Sequence, residues 1–271
     1  MNCDGAIAIV TGASRGVGAA TAVALAAAGA SVVCAARATA ESPLSVPGTI
    51  DDTLRAISDV GGVGIARPTN LALDTDVEAL VDETTDRFGR IDILVNNAAI
   101  SFPGDINLTM KRFDLIFAVD LRAPVIAVQR VLPGMIERRH GAIVNISSAA
   151  ALNYYPGQMV YGMAKAALEH FTVSVAAQVA PHNISVNTFR IDVPVASEGF
   201  LAAMPDADHS DWEPPEVAAE GILWMLAQDP DYTGHNAGMA RLRAKHGIMF
   251  SRASRPHTQA PTMVTESTVG H

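Results

Sequence analysis

Short apolar runs alternate with longer stretches of helical period along most of this chain. Ala6–Val10, Ser31–Ala35, Val63–Ala66, Ile91–Val95, Ala142–Ile146 and Ile184–Asn187 are short, β-branched and apolar on both faces, as buried parallel strands are. Between them Arg15–Ala28, Thr49–Val60, Asp74–Phe88, Thr109–Glu137 and Tyr161–Val179 read as helices, and another is expected at Pro215–Ala227. Gly29, Gly61 and Gly89 fall where helices stop. The alternation predicts an α/β fold: a doubly wound parallel β-sheet with right-handed crossovers and helices on both faces.

Two stretches break the rhythm. Thr39–Gly48 carries two prolines and several small polar residues, so a loop is expected after the second strand. From about Arg241 to His271 the periodicity is weak. The expectation is one domain over residues 1–240, substrate site included, and a flexible tail over 241–271. The last twenty residues are expected to be largely disordered, or else an arm reaching a neighbouring subunit.

Composition narrows the function. With 271 residues and 49% hydrophobic content, one domain with a sizeable core is expected. No apolar run reaches the length of a membrane span. The net charge of −9 disfavours nucleic acid as a partner. Two cysteines, Cys3 and Cys34, suggest neither a disulfide framework nor a metal site. His182, His209 and His235 lack metal-ligand spacing. The first strand begins close to Met1, leaving no room for a leader, so a cytoplasmic protein is expected.

The candidate chemistry lies in two segments. Thr11-Gly12-Ala13-Ser14-Arg15-Gly16-Val17-Gly18 follows the first strand and opens a helix of small residues. Glycines at this spacing allow a tight turn and bring backbone amides to a pyrophosphate, with the helix dipole adding positive potential. Tyr161 and Lys165 lie four apart, hence on one helical face, with Ser148 upstream. The chain has three Lys among 19 basic residues, so Lys at 165 goes against its general preference for Arg. An ammonium beside a phenol is expected to lower the phenol's pKa from its ordinary value near ~10.

With the glycine turn, Asn96-Asn97-Ala98-Ala99, Ser148 and Tyr161-x-x-x-Lys165, the chain resembles the short-chain dehydrogenase/reductase family from about Ala6 to Gly234. Pro43–Ile50 and Arg190–Phe200 are also similar to a subgroup related to hydroxysteroid-dehydrogenase-like proteins. The resemblance implies that Gly12, Ser14, Arg15, Gly16, Val17 and Gly18 cradle a dinucleotide. It implies that Asn97 and Ala98 pack beside the adenosine half, and that Asn70 and Leu71 touch the adenine. Ser148 would hydrogen-bond the substrate oxygen, and Tyr161 would act as general acid/base. Lys165 would bind the nicotinamide ribose and acidify Tyr161.

Strand two ends Cys34-Ala35-Ala36-Arg37, with Ala36 where an acid would accept the ribose hydroxyls. Arg37 and Arg15, with no carboxylate, favour NADP over NAD.

The chain departs from the family pattern in several places. Asp120 stands where a catalytic-tetrad Asn is usual, and its charge near Lys165 is expected to offset the field on Tyr161; Arg122 is expected to neutralise part of it. Ala99 replaces a usual Gly, Ile191-Asp192 replaces Pro-Gly, and an Asp-Gly-Gly near the C-terminus is missing. Val193 and Pro194 are expected to take over part of the nicotinamide contact.

The resemblance implies hydride transfer between NADP and a carbonyl or secondary alcohol. A substrate with an apolar body is expected, against walls drawn from Ile100, Phe102, Leu152, Tyr154, Tyr155, Met159, Phe200, Met204 and Trp212. A homodimer or homotetramer is implied through the two long helices. Two other readings stay open: a nucleotide-binding regulatory protein with little turnover, and an NAD-linked hydroxysteroid or sugar dehydrogenase.

Overall fold

The computed structural model describes residues 3–250. The expected alternation is present: β1 (Ile7–Thr11), α1 (Gly16–Ala27), β2 (Ser31–Ala36), α2 (Ile50–Asp59), β3 (Val63–Pro68), α3 (Asp74–Phe88) and β4 (Ile93–Asn96) come first. They are followed by α4 (Met110–Phe117), α5 (Ala123–Arg138), β5 (Gly141–Ser148), α6 (Met159–Val179) and β6 (Ile184–Ile191). The chain continues through α7 (Glu198–Ala203), α8 (Pro215–Ala227), β7 (Asn236–Gly238) and α9 (Met239–His246). The seven strands form one parallel sheet in the order β3-β2-β1-β4-β5-β6-β7. The order reverses between β1 and β4, which makes the carboxyl ends of those two strands the topological switch point.

Adjacent residues of each strand point to opposite faces, which splits the apolar interior in two. Val32, Val95 and Val144 pack on one side with Leu25, Ile57, Ile222 and Trp224 of α1, α2 and α8. Val33, Leu94 and Ile143 pack on the other with Leu80, Val128 and Val175 of α3, α5 and α6. Each such side chain contributes about 1.5–3 kcal/mol by leaving water. Local signals agree with this packing. Thr49 and Asp52 form a reciprocal capping box at the start of α2, and Gly89 ends α3 in the left-handed region.

The structure corrects several expectations. The long helix expected over Thr109–Glu137 is α4 and α5 joined by a single π turn, Ala118–Arg122. β6 runs on to Ile191, and α7, β7 and α9 had no sequence forecast. α9 crosses the boundary expected at residue 240, and Leu242, Ile248 and Met249 are buried in the core. The disorder expected for the last twenty residues falls outside the described residues. Among the described residues no helix is long and apolar enough to cross a membrane.

Candidate active site

The turn after β1 is shaped by close approach. Gly12 and Gly16 have positive φ, +67° and +56°. A Cβ on Gly18 would lie 2.3 Å from both the Gly12 oxygen and Asn97 Nδ2, so α1 could not sit this close with any side chain there. Asn97 Nδ2 donates to the carbonyls of Thr11 (2.9 Å) and Gly12 (3.3 Å). Thr11 Oγ1 accepts from the amides of Asn97 (3.0 Å) and Ala98 (3.1 Å). The loops after β1 and β4 are thereby stitched together at the switch point. α1 begins with no side-chain cap and no acid in its first turn, which leaves its leading amides for an anion. Val17 is buried in the core, so only its backbone belongs to this cradle. These donors fit a pyrophosphate.

Positive charge flanks the turn. Arg15 Nη2 donates to the Gly48 carbonyl at 2.8 Å, so the loop expected over Thr39–Gly48 braces the glycine turn. Burial lowers the Arg15 pKa; the Glu198 carboxylate opposes this and the nearby Arg37 guanidinium adds to it. Arg37 is exposed, and Ala36 at the end of β2 is buried.

Beyond the switch point, Ser148 ends β5, and Tyr161 and Lys165 share a face of α6. A Cβ on Gly162 would lie 2.5 Å from the Ala150 oxygen, so this glycine lets α6 press against the turn that carries Ser148. Ser148 Oγ accepts from the Ala150 amide (3.2 Å), and its side chain neighbours the Tyr161 phenol closely enough to lower the phenol's pKa. Lys165 Nζ donates to the Ile146 carbonyl (3.0 Å) and lies 5.5 Å from the centre of the Tyr161 ring. Asp120, held in the π turn, accepts from the Ile100 amide through Oδ1 at 2.9 Å. Its other oxygen, Oδ2, is 3.8 Å from Lys165 Nζ and has no hydrogen-bond partner.

The expected acidification of Tyr161 is not found. Burial pushes the phenol's pKa up, the Asp120 charge pushes it further, and only the neighbouring Ser148 side chain works the other way. Burial also opposes both charges of the pair beneath. Asp120 is pushed up to about 6 despite Lys165, and Lys165 is lowered despite Asp120. Arg122 does not neutralise Asp120: it forms a two-pronged pair with Asp74 at the surface.

The chain matches the short chain dehydrogenase family over residues 6–193. It belongs to that family. This short-chain dehydrogenase is 36% identical over 233 residues to a 3-oxoacyl-[acyl-carrier-protein] reductase of Synechocystis sp., covering 83% of this chain and 90% of the relative. It is 28% identical over 242 residues to hydroxysteroid dehydrogenase-like protein 2 of Xenopus laevis, covering 88% of this chain and 58% of that one. Among solved structures it resembles a metagenomic short-chain oxidoreductase in complex with NADP. The TM-score is 0.73 at 26% identity, over 88% of this chain and 99% of the other.

Other parts of this short-chain dehydrogenase's site carry no clear signal in the sequence, or a misleading one. A buried polar chain runs beneath it: Asn96 Nδ2 donates to Asn145 Oδ1 (2.8 Å), and Asn145 Nδ2 donates to Thr172 Oγ1 (2.9 Å). Glu169 accepts from Ser147 Oγ (2.7 Å) and from both prongs of Arg190 (2.7 and 2.5 Å), tying α6 to β5 and β6. Glu169 falls one turn beyond Lys165, a spacing that could have flagged it. Asp192, in place of the usual Gly, accepts from the Ala240 amide (3.0 Å) and so caps α9. Asn70 spends its acceptor locally, on the Ala72 amide (3.2 Å), and Leu71 is buried in the core. Val193 is half-buried against the core.

The expected apolar walls divide. Ile100, Phe102 and Met159 pack into a small cluster around Ile116 and Val160. Phe200 and Trp212 stack at 4.5 Å, and Leu152, Tyr154, Tyr155 and Met204 are exposed. Asp105 clamps the segment before α6, accepting from the Gly157 amide and the Tyr154 hydroxyl, both at 3.0 Å. No group of three or more His, Cys, Asp or Glu is placed to hold a metal among the described residues.

Proposed function

We propose that this short-chain dehydrogenase is an NADP-dependent oxidoreductase acting on a carbonyl or secondary alcohol with an apolar body. The observation that carries the proposal is the Ser148 side chain set beside the Tyr161 phenol, over the buried Lys165–Asp120 pair and across the switch point from an uncapped glycine turn. The leading amides of α1, from Gly16 to Gly18, would hold the pyrophosphate, since the Gly12 and Ala13 amides are spent on the Ala35 carbonyl, and Arg15 and Arg37 would take a 2′-phosphate. Asn70, Leu71, Asn97, Ala98 and Val193 would line the rest of the dinucleotide site. Bound there, the nicotinamide supplies or takes up a hydride at the substrate carbon.

The chain's own residues handle the oxygen and its proton. In reduction the carbonyl π bond opens as hydride arrives at carbon, and the Tyr161 proton goes to oxygen. Ser148 donates to that oxygen and holds it against the phenol. A phenol pKa held high keeps Tyr161 protonated at neutral pH, which favours the proton-donating, reductive direction. Lys165 places positive charge below the tyrosinate that remains. Asp120 would act as a positioning residue, fixing Lys165 and tempering its field. Phe200 and Trp212 offer an aromatic surface for the substrate body.

Both cysteines are free and buried, as suits the cytoplasm. Met163 and Val173 on α6 are exposed apolar residues, and we take them as part of a homodimer or homotetramer contact. A panel of ketones and aldehydes with NADPH, followed by loss of nicotinamide absorbance, tests the proposal. Tight NADPH binding with no turnover on any carbonyl or alcohol would favour a nucleotide-binding regulatory role instead.

A further inference from the structure

In a dinucleotide cradle the second glycine of the turn exists so that phosphate oxygens can approach bare backbone. Here the space beside that glycine is taken by the chain itself. A Cβ on Gly16 would lie 2.8 Å from Ser197 Cβ and 3.5 Å from Glu198 Oε2. The first residues of α7 therefore lean on the cradle and bring a carboxylate with them.

Two further observations mark this contact as electrostatic. Glu198 Oε2 is buried and has no hydrogen-bond partner. Arg15 Nε, on the residue before Gly16, is likewise buried and unpartnered. Neither polar atom is satisfied, yet the two charges lie close enough for Glu198 to act on Arg15. Buried polar groups left in this way are costly and would gain from a better partner.

The approach of α7 is built, not incidental. Ser197 caps the helix by accepting from the Phe200 amide (3.3 Å), and the Ser197 amide donates to the Val195 carbonyl (2.8 Å). Behind it the Ala196 amide donates to the Glu213 carbonyl (2.8 Å), and the Glu213 amide to the Pro194 carbonyl (2.9 Å). Glu213 is in turn held by Arg243 of α9 at 2.7 Å. The loop after β6 is thus fastened to α9 at one end and presents Glu198 to the glycine turn at the other.

We propose that Glu198 sets the coenzyme affinity of this enzyme, by holding a negative charge where the pyrophosphate must come. The inference rests on the dinucleotide reading of the cradle. Like charges in a partly dry site repel strongly, so the carboxylate must be displaced or tolerated each time the anion binds. The residue keeps affinity moderate and makes the position of α7 part of the binding equilibrium.

The test is fluorescence titration of NADPH and NADH against the wild type, Glu198→Gln and Glu198→Ala. Gln keeps the size and hydrogen-bonding reach of the side chain and removes the charge. Both variants should bind both dinucleotides roughly tenfold more tightly, because the pyrophosphate is common to the two. The gain should shrink as salt is raised. Unchanged or weakened affinity in the variants overturns the inference while leaving the dinucleotide reading intact. Tightening confined to NADPH also overturns it, since the carboxylate would then act through Arg15 on the 2′-phosphate. No binding to any of the three proteins overturns the dinucleotide reading and this inference together.

Discussion

Asp120 Oδ2 stands 3.8 Å from Lys165 Nζ, and both side chains are shut away from water. The two charges are held close without a hydrogen bond between them, directly below the phenol. Asp120, raised to about 6 by burial, ionises in the range where such an enzyme works. Above that pH its negative charge adds to burial in keeping the proton on Tyr161.

The Asp120→Asn variant removes this charge and leaves Lys165 unopposed. The Tyr161 proton should then leave more easily, so the pH profile for alcohol oxidation should move to lower pH. Oxidation at pH 8 should rise roughly five- to tenfold, and reduction at the same pH should fall. Below about pH 5 Asp120 is already neutral in the wild type, so the two profiles should converge. Superimposable profiles would remove Asp120 from the chemistry.

Tyr161→Phe keeps the ring and deletes the proton donor. kcat should fall about 10²–10⁴-fold, while NADPH affinity by fluorescence titration stays close to wild type. Turnover that survives this change would mean the proton comes from elsewhere.

Arg37 is exposed, so its loss should leave the unfolding temperature unchanged. Arg37→Ala should nonetheless weaken NADPH binding about tenfold to a hundredfold, as expected for a lost charge-assisted contact of roughly 1.5–3 kcal/mol. NADH binding should not change. Equal effects on both dinucleotides would assign Arg37 to a shared part of the ligand.

Gly18→Ala tests the stitched turn. The new methyl would meet the Gly12 carbonyl at 2.3 Å, and a backbone oxygen cannot swing aside as a flexible side chain can. Overpacking of this kind costs about 1–3 kcal/mol, equivalent to roughly 2–12 °C in unfolding temperature for a domain of this size. Dinucleotide binding should be lost with it. A variant that melts and binds like the wild type would show that the turn has room to relax.

The sequence was most legible where one residue type serves one local need. Apolar runs located six of the seven strands, and α3 and α8 begin and end where periodicity placed them. Gly12, Gly16, Gly18, Tyr161 and Lys165 stand out in the sequence because turn geometry and helical spacing constrain them locally, whereas Ser148, at the end of β5, stands out only through the family resemblance. Contacts set by distant packing were not visible. Nothing around Asp192 signals that it caps a helix some 48 residues on, and Arg122 lost its expected partner to Asp74 across a helix–helix contact. The acidified phenol failed for a similar reason. Spacing places an ammonium beside a ring, but burial, which depends on the whole fold, decides the sign of the shift.

The π turn at Ala118–Arg122 has a bearing on how this protein tolerates change. A π turn holds one residue more than an α turn needs, so deleting one residue of this stretch other than Asp120 would let α4 and α5 merge into a regular helix. The flanking helices would keep nearly their present relation, because five residues of π winding turn about as far as four of α winding. The residues of the turn itself would fall into α spacing, and the carboxylate facing Lys165 should be re-aimed although its chemistry is untouched. Chain length in this stretch, as well as side-chain identity, should set where that carboxylate points.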